Sequence, residues 1–392
     1  MSANPRFSVV IPTRNRAALT RIAITSVLRQ TYSDWELVVA DNSQDEETGA
    51  VVAEFDDDRI RYVRSGDLSM CENWEFAVEH ARGDYLCLLQ YKQVLKYHAL
   101  ETLAELCHAE QPEVVRWTWD SISPLGFGYR VKVAGGTGAS ETVSPRVPLE
   151  SFVSGSYTEA KGRLPIPQYS AIRRELLDRI RSGPVGVLFP PVSPDYTLSL
   201  QVCNYCESVT YLDQALVAFS DLSVSNGQSF RLKTALSRQF TAEMGGPALY
   251  YDQVPIKVGT VFGSVYNDYC KLRAQLGGRL EEFPPDWANY FLGCYESIHS
   301  SIALGVDMSV EVAEWERALA EQEPQVKERV AVATTKHRQK RVSLTRRLRK
   351  SRALTGFKHG VRSIVQGKIL RHPQWRFDEI LSYLDWESKQ QR

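Results

Sequence analysis

The sequence predicts an α/β fold: a mostly parallel sheet with helices on both faces, then a C-terminal helical region. Three observations carry this reading. Short apolar runs alternate with segments of helical period through the first half of the chain. The strand-like runs are mostly apolar, as strands covered on both faces require. Beyond about residue 228 the strand signals stop and helical periodicity continues alone.

The elements follow in order. Phe7-Ser8-Val9-Val10-Ile11 reads as a buried strand stopped by Pro12, and Leu19, Ile22, Ala23 and Val27 mark a helix over 17–30. Leu37 to Ala40 is the second strand, ending at Asp41, and Arg59 to Val63 the third. Trp74, Ala77, Val78 and Ala81 mark a helix before a fourth strand, Asp84 to Leu89. Leu100, Leu103 and Leu106 give another helix, and Val114 to Trp119 a further strand. Residues 121–150 read as an insertion with a hairpin near Tyr129 to Val133. Ile166 to Ile172 predicts a strand, Arg173 to Arg181 a helix, and Pro190 to Pro194 a rigid loop feeding a helix at Tyr196. Short strands at Val209 to Tyr211 and Leu216 to Phe219 complete the series. Val261, Val265, Tyr269 and Leu272 share a helical face, as do Val310, Val312, Trp315 and Leu319.

A chain of 392 residues accommodates two or three domains, placed at 1–228 (α/β), 229–324 (helical) and 325–392 (basic tail). The 47 basic and 47 acidic side chains cancel, but from Lys327 to Arg371 fifteen Lys/Arg face one acid, Glu328. Basic and apolar residues alternate from Ser343 to Val365, the pattern of an amphipathic helix on an anionic membrane surface. Packing on the acidic body of the same chain is the competing reading. No nucleic-acid module accompanies the charge, so nucleic acid is not an expected partner. Seven scattered cysteines, including a lone Cys203-x-x-Cys206, predict free thiols in a cytoplasmic, reducing compartment. The polar N-terminus shows no signal peptide, and no run of about 18 apolar residues predicts a membrane span.

Ligands of open parallel sheets bind at the carboxyl ends of the strands. Here those ends are Pro12-Thr13-Arg14-Asn15-Arg16, Asp41-Asn42-Ser43 and Gln90-Tyr91-Lys92-Gln93. No G-x-G-x-x-G follows the first strand and no G-x-x-x-x-G-K-[ST] occurs, which speaks against dehydrogenase and P-loop chemistry. Asp56-Asp57-Asp58 precedes a strand on the opposite side and reads as a charged turn.

Linked motifs now converge. Residues 7–16, Ser26 to Tyr32, Trp35 to Ser43, Asn73 to Ala77 and Ala81 to Tyr85 resemble the start of a family 2 glycosyltransferase of the GT-A fold. The resemblance is strong over about 6–110, weaker over 160–227, and absent from the rest. It implies a nucleotide-diphospho-sugar donor, expected to be uridine-based, and a glycan, lipid-linked or small-molecule acceptor. It also implies that Thr13, Asn15 and Asp41 hold the nucleoside, with Pro12 and Arg14 expected at the same site, and that Asp195 is the base of an inverting transfer. A turn or cap residue is the plainer reading of Asp41, and solvated side chains that of Arg14 and Arg16. An ordinary helix start, with Ser193 as cap and Pro194 at the first position, is the plainer reading of the Asp195 segment.

The chain departs from the family at the fourth strand end, where an Asp-x-Asp run usually binds magnesium or manganese. Gln90-Tyr91-Lys92-Gln93 carries no carboxylate. The expectation is a metal-independent site without cofactor, with Gln90, Tyr91 and Lys92 on the diphosphate and the Lys92 ammonium in place of the ion. Magnesium or manganese is not favoured. The alternative is an inactive sugar-nucleotide-binding or membrane-docked scaffold. Either fits a cytoplasmic protein peripheral to the inner face of the membrane.

Overall fold

The computed structural model describes residues 5–125, 128–155, 162–220, 226–243, 245–335, 371–372, 381 and 383–385. The basic stretch Ser343 to Val365 lies outside them.

Strands β1 (Phe7–Thr13), β2 (Trp35–Asp41), β3 (Ile60–Arg64) and β4 (Tyr85–Leu88) form the parallel centre, in the order β4-β1-β2-β3. Every residue of β1, β2 and β4 is buried, so the continuous apolar runs serve two faces, as predicted. Helices α1 (Ala17–Leu28), α2 (Glu47–Val52), α3 (Met70–Glu79) and α4 (Ala99–Glu110) make the crossovers. A capping box starts α3: the Ser69 hydroxyl accepts from the Glu72 amide, and the Glu72 carboxylate accepts from the Ser69 amide.

Beyond β4 the sheet turns antiparallel through β9 (Ser170–Arg173), β6 (Val114–Leu125) and β7 (Gly128–Lys132). The hairpin expected in the insertion is the β6–β7 pair. Two expectations need correction. The segment at 166–172 is a 3₁₀ turn, Pro167–Tyr169, before a shorter strand, because Pro167 cannot donate to a ladder. The two short strands near 209–219 are one bulged strand, β10 (Val209–Ser220), parallel to β6. Also beyond the sequence reading are α5 (Arg146–Ser154), β5 (Gln93–Leu95) and β8 (Ser140–Val143), the two strands pairing with β10.

Helices α6 (Arg174–Arg181) and α7 (Pro194–Tyr205) follow β9, and α8 (Asn226–Arg231), α9 (Ala235–Glu243), α10 (Val261–Leu276), α11 (Trp287–Ile302) and α12 (Ser309–Ala320) follow β10. Val265, Tyr269 and Leu272 are buried along α10 as their spacing predicts. On α12 the expected face is displaced: Val310 is 64% exposed, and buried Glu311 instead receives Lys233 Nζ at 2.8 Å. One contiguous apolar cluster runs from Phe7 to Val330, so α10 and α11 share their core with the sheet. Strand β11 (Arg371–His372) pairs with β7, and Tyr383 is buried with its hydroxyl 2.8 Å from Asp120 Oδ2.

The turn into β4 leaves no room for a side chain. A Cβ on Gly83 would lie 2.6 Å from the Ser8 amide nitrogen, and the Gly83 amide donates to Ser8 Oγ at 2.7 Å. Gly83→Ala is expected to lower unfolding free energy by about 1–3 kcal/mol, read from denaturant midpoints.

Candidate active site

The register of the sheet brings the tips of the first two strands together. Thr13 stands opposite Asp41, and the Asn42 amide donates to the Thr13 carbonyl at 3.1 Å. Asn15 follows with a left-handed backbone, φ 53°, a conformation Asn tolerates better than most residues. Its amide donates to Ser43 Oγ at 2.7 Å, and its Oδ1 accepts from the Gln44 amide at 3.2 Å. Asn15 thus stitches the first tip to the second.

Asp41 is fully buried. Its Oδ1 accepts the Ser43 amide at 2.9 Å and the Ser43 hydroxyl, and its Oδ2 accepts the Tyr62 hydroxyl at 2.8 Å. A carboxylate offers about four acceptor positions, so about one remains, on Oδ2. Burial first, and then this hydrogen bond to Asp41, push the Tyr62 hydroxyl pKa up. Asn73 braces the same turn, donating to the Ala40 carbonyl and to Asn42 Oδ1, each at 3.2 Å. Tyr62 and Asn73 were not singled out as site residues from sequence, since neither lies at a strand tip.

The fourth tip reaches the first through side chains. The Leu89 amide donates to the Val10 carbonyl at 2.9 Å, and the chain then turns through Gln90 to Lys92. The Arg16 guanidinium lies 5.9 Å from the Tyr91 ring centre, and its Nε–H is buried without a hydrogen-bond partner. Arg14, expected at the nucleoside, pairs with Glu243 of α9 at 3.0 Å. The Lys92 ammonium sits 5.0 Å from the Phe219 ring centre. Gln93 turns inward: Oε1 accepts the Gln90 amide at 2.9 Å, and Nε2 donates to the Gln168 carbonyl at 3.3 Å.

That last bond leads to Asp195. Tyr169, next to Gln168, stacks on Trp119 with ring centres 4.4 Å apart. Its hydroxyl pKa is raised, mainly by burial, with the Asp195 charge adding to the rise. Asp195 is half-buried in the first turn of α7, where its Oδ1 accepts the Tyr196 amide at 3.1 Å. The Ser193 side chain makes no cap to α7. The loop before the helix is instead held by acids of other elements. Glu75 Oε2 accepts the Leu188 and Phe189 amides at 2.9 and 3.2 Å, and Asp268 Oδ2 accepts those of Val192 and Ser193 at 3.0 and 2.8 Å.

Asp268 is buried, and burial raises its pKa to about 6, against the opposing pull of those amides, the Ser193 hydroxyl and Lys271. Cys71 and Tyr250 also feel its charge, and Cys71 feels that of Asp195 as well. The folded pKa therefore exceeds the ordinary 3.8, so the folded chain binds the extra proton between these values. The Asp268 contribution to stability is expected to fall as pH rises from about 4 through about 6, by on the order of 3 kcal/mol. Thermal midpoints across that range should fall less steeply in Asp268→Asn.

Hard divalent ions need carboxylate oxygens. The fourth tip offers amides, a phenol and an ammonium, and Asp41 is already committed to three donors. Among the described residues no three His, Cys, Asp or Glu side chains are grouped to hold a metal ion. The residues present do not fit the family's usual ion. Asp57, in the acidic turn, forms a two-pronged pair with Arg59. The seven cysteines are free thiols, with Cys203 and Cys206 buried. Among the described residues no helix is long and apolar enough to cross a membrane.

Residues 8–181 match the model of the family described as Glycosyl transferase family 2. The GalNAc(5)-diNAcBac-PP-undecaprenol beta-1,3-glucosyltransferase of Campylobacter jejuni is 32% identical over 105 residues, 26% of this chain and 34% of that protein. The UDP-Glc:alpha-D-GlcNAc-diphosphoundecaprenol beta-1,3-glucosyltransferase WfgD of Escherichia coli is 41% identical over 56 residues, 14% of this chain and 22% of its own length. The chain thus spans about a third or less of these curated relatives. The crystal structure of S. aureus TarS 1-349 in complex with UDP-GlcNAc aligns over 80% of this chain and 79% of that one, at TM-score 0.46 and 17% identity. Over residues 8–181, this chain is similar to glycosyltransferase family 2.

Proposed function

We propose that the chain is an inverting glycosyltransferase that moves a sugar from a uridine-diphosphate donor to a lipid-linked glycan acceptor without a divalent ion. The observation that carries the reading is the joining of three strand tips. Thr13 is registered beside Asp41, Asn15 is bonded across to Ser43 and Gln44, and Arg16 lies over Tyr91. The nucleoside is assigned to Pro12, Thr13, Asn15 and Asp41, and the diphosphate to Gln90, Tyr91 and Lys92. Arg16 joins the diphosphate set because a buried guanidinium N–H without an acceptor suits a phosphate oxygen. Arg14 is better explained as the anchor to Glu243.

The chemistry needs two things. As the bond from the anomeric carbon to the diphosphate breaks, charge grows on the leaving oxygen, and fixed cations stabilise it. Asp195 takes the proton from the acceptor hydroxyl as that oxygen attacks from the opposite face. The named relatives act on undecaprenol diphosphate-linked sugars, which supports an acceptor of that class. The basic stretch then has a place on the anionic surface that presents such acceptors.

Lys92→Ala is expected to weaken UDP binding about 10- to 100-fold, as measured by calorimetry in excess chelator. Unchanged affinity would remove Lys92 from the diphosphate site.

A further inference from the structure

We infer that Asp268, on a helix outside the family match, is the positioning residue that sets the loop carrying the base Asp195. The inference rests on the assignment of Asp195 as base. Neither the sequence resemblance nor the family match reaches α10, which begins at Val261.

The geometry is specific. The loop from Val187 to Ser193 connects the α6 end to α7, and Asp195 sits two residues beyond it. Its first part is fixed from α3, where Glu75 takes the Leu188 and Phe189 amides while Arg181 donates to Glu75 Oε1 at 2.8 Å. Gln201 of α7 adds donors to the Val187 and Leu188 carbonyls at 3.2 and 3.0 Å. Its last part is fixed from α10, where one Asp268 oxygen takes the Val192 and Ser193 amides. Those two amides immediately precede Pro194, the first residue of α7, which has no N–H of its own.

The Ser193 side chain makes no cap to the helix, while its amide donates to Asp268 Oδ2 at 2.8 Å. The helix start, and hence the direction of Asp195, is therefore set by a neighbouring element more than by its own cap. A wholly buried carboxylate is costly to maintain, and two amide donors on one oxygen are the return for it. Misplacing a reacting group by about an ångström costs on the order of a hundredfold in rate. Asp268 touches no reacting atom, so its role would show as lost turnover with donor affinity retained.

The test uses the full chain in two variants. Asp268→Leu replaces the carboxylate by a larger apolar side chain and removes both acceptors, while Asp268→Asn keeps the size and one carbonyl acceptor. Hydrogen exchange by mass spectrometry should show 187–196 exchanging about 10- to 100-fold faster in Asp268→Leu. Steady-state UDP release from UDP-glucose or UDP-N-acetylglucosamine should fall about 100-fold, with UDP affinity unchanged. Asp268→Asn should restore exchange and turnover to within about tenfold of the parent chain. Unchanged exchange in Asp268→Leu would overturn the inference, as would faster exchange with full turnover. If Asp268→Leu does not fold, a hundredfold loss in the folded Asp268→Asn chain would overturn it, because the acceptor is still present. Parent-level UDP release from Asp195→Asn would overturn the base assignment and the positioning role together, and is distinguishable because Asp268 is intact there.

Discussion

Asp195→Asn should lose transfer by about 10²- to 10⁴-fold while binding UDP as tightly as the parent chain, the range expected for removing a positioned general base. The substitution is a clean probe because Asn keeps an oxygen for the Tyr196 amide that Asp195 accepts at 3.1 Å. The start of α7 should therefore stand, and unfolding midpoints should shift little. The loop before it is held by Glu75 and Asp268, neither of which the substitution touches. Steady-state UDP release and calorimetric UDP binding, measured on the same preparation, check the split between kcat and affinity. Equal loss in both would reassign Asp195 to donor binding, and retained turnover would remove it from the chemistry.

Asp41→Ala should both destabilise the domain and abolish measurable UDP binding. The carboxylate is fully buried and accepts the Ser43 amide, the Ser43 hydroxyl and the Tyr62 hydroxyl. Removing it leaves three donors facing an apolar void, at about 1–3 kcal/mol for each that stays unsatisfied. The turn that receives the Asn15 amide on Ser43 would loosen, taking the first tip with it. Tyr62→Phe serves as the milder companion: it removes one donor and should cost about 1 kcal/mol while leaving UDP bound. Denaturant midpoints and UDP titrations together check both. An Asp41→Ala chain that remains stable and binds UDP would show that the second tip does not build the nucleoside site.

The sequence disclosed what repeats and hid what bridges. The parallel centre was legible because β1, β2 and β4 are mostly apolar and separated by helical periods. Strand β5 was hidden because three residues give no period, and its Gln93 looks polar although its amide is wholly spent inside. The single strand β10 looked like two because a bulge between Leu212 and Val217 interrupts the alternation. Thr13, Asn15 and Asp41 stand out as candidates in the sequence because strand tips are where parallel sheets bind ligands. Arg14 and Arg16 could not be told apart from sequence, since one faces Glu243 of a distant helix and the other Tyr91. Asp268 carried no sequence signal, because a lone acid within an apolar-periodic helix marks neither its burial nor its partners 76 and 75 residues away.

The deciding measurement is calorimetric titration of UDP into the full chain, in excess chelator and again with manganese or magnesium. A grip built from Thr13, Asn15, Asp41, Arg16 and Lys92 predicts the same affinity in all three, with saturable binding in the chelator. UDP binding seen only when a divalent ion is present, or absent throughout, would contradict a nucleotide-diphosphate site that stands on side chains alone.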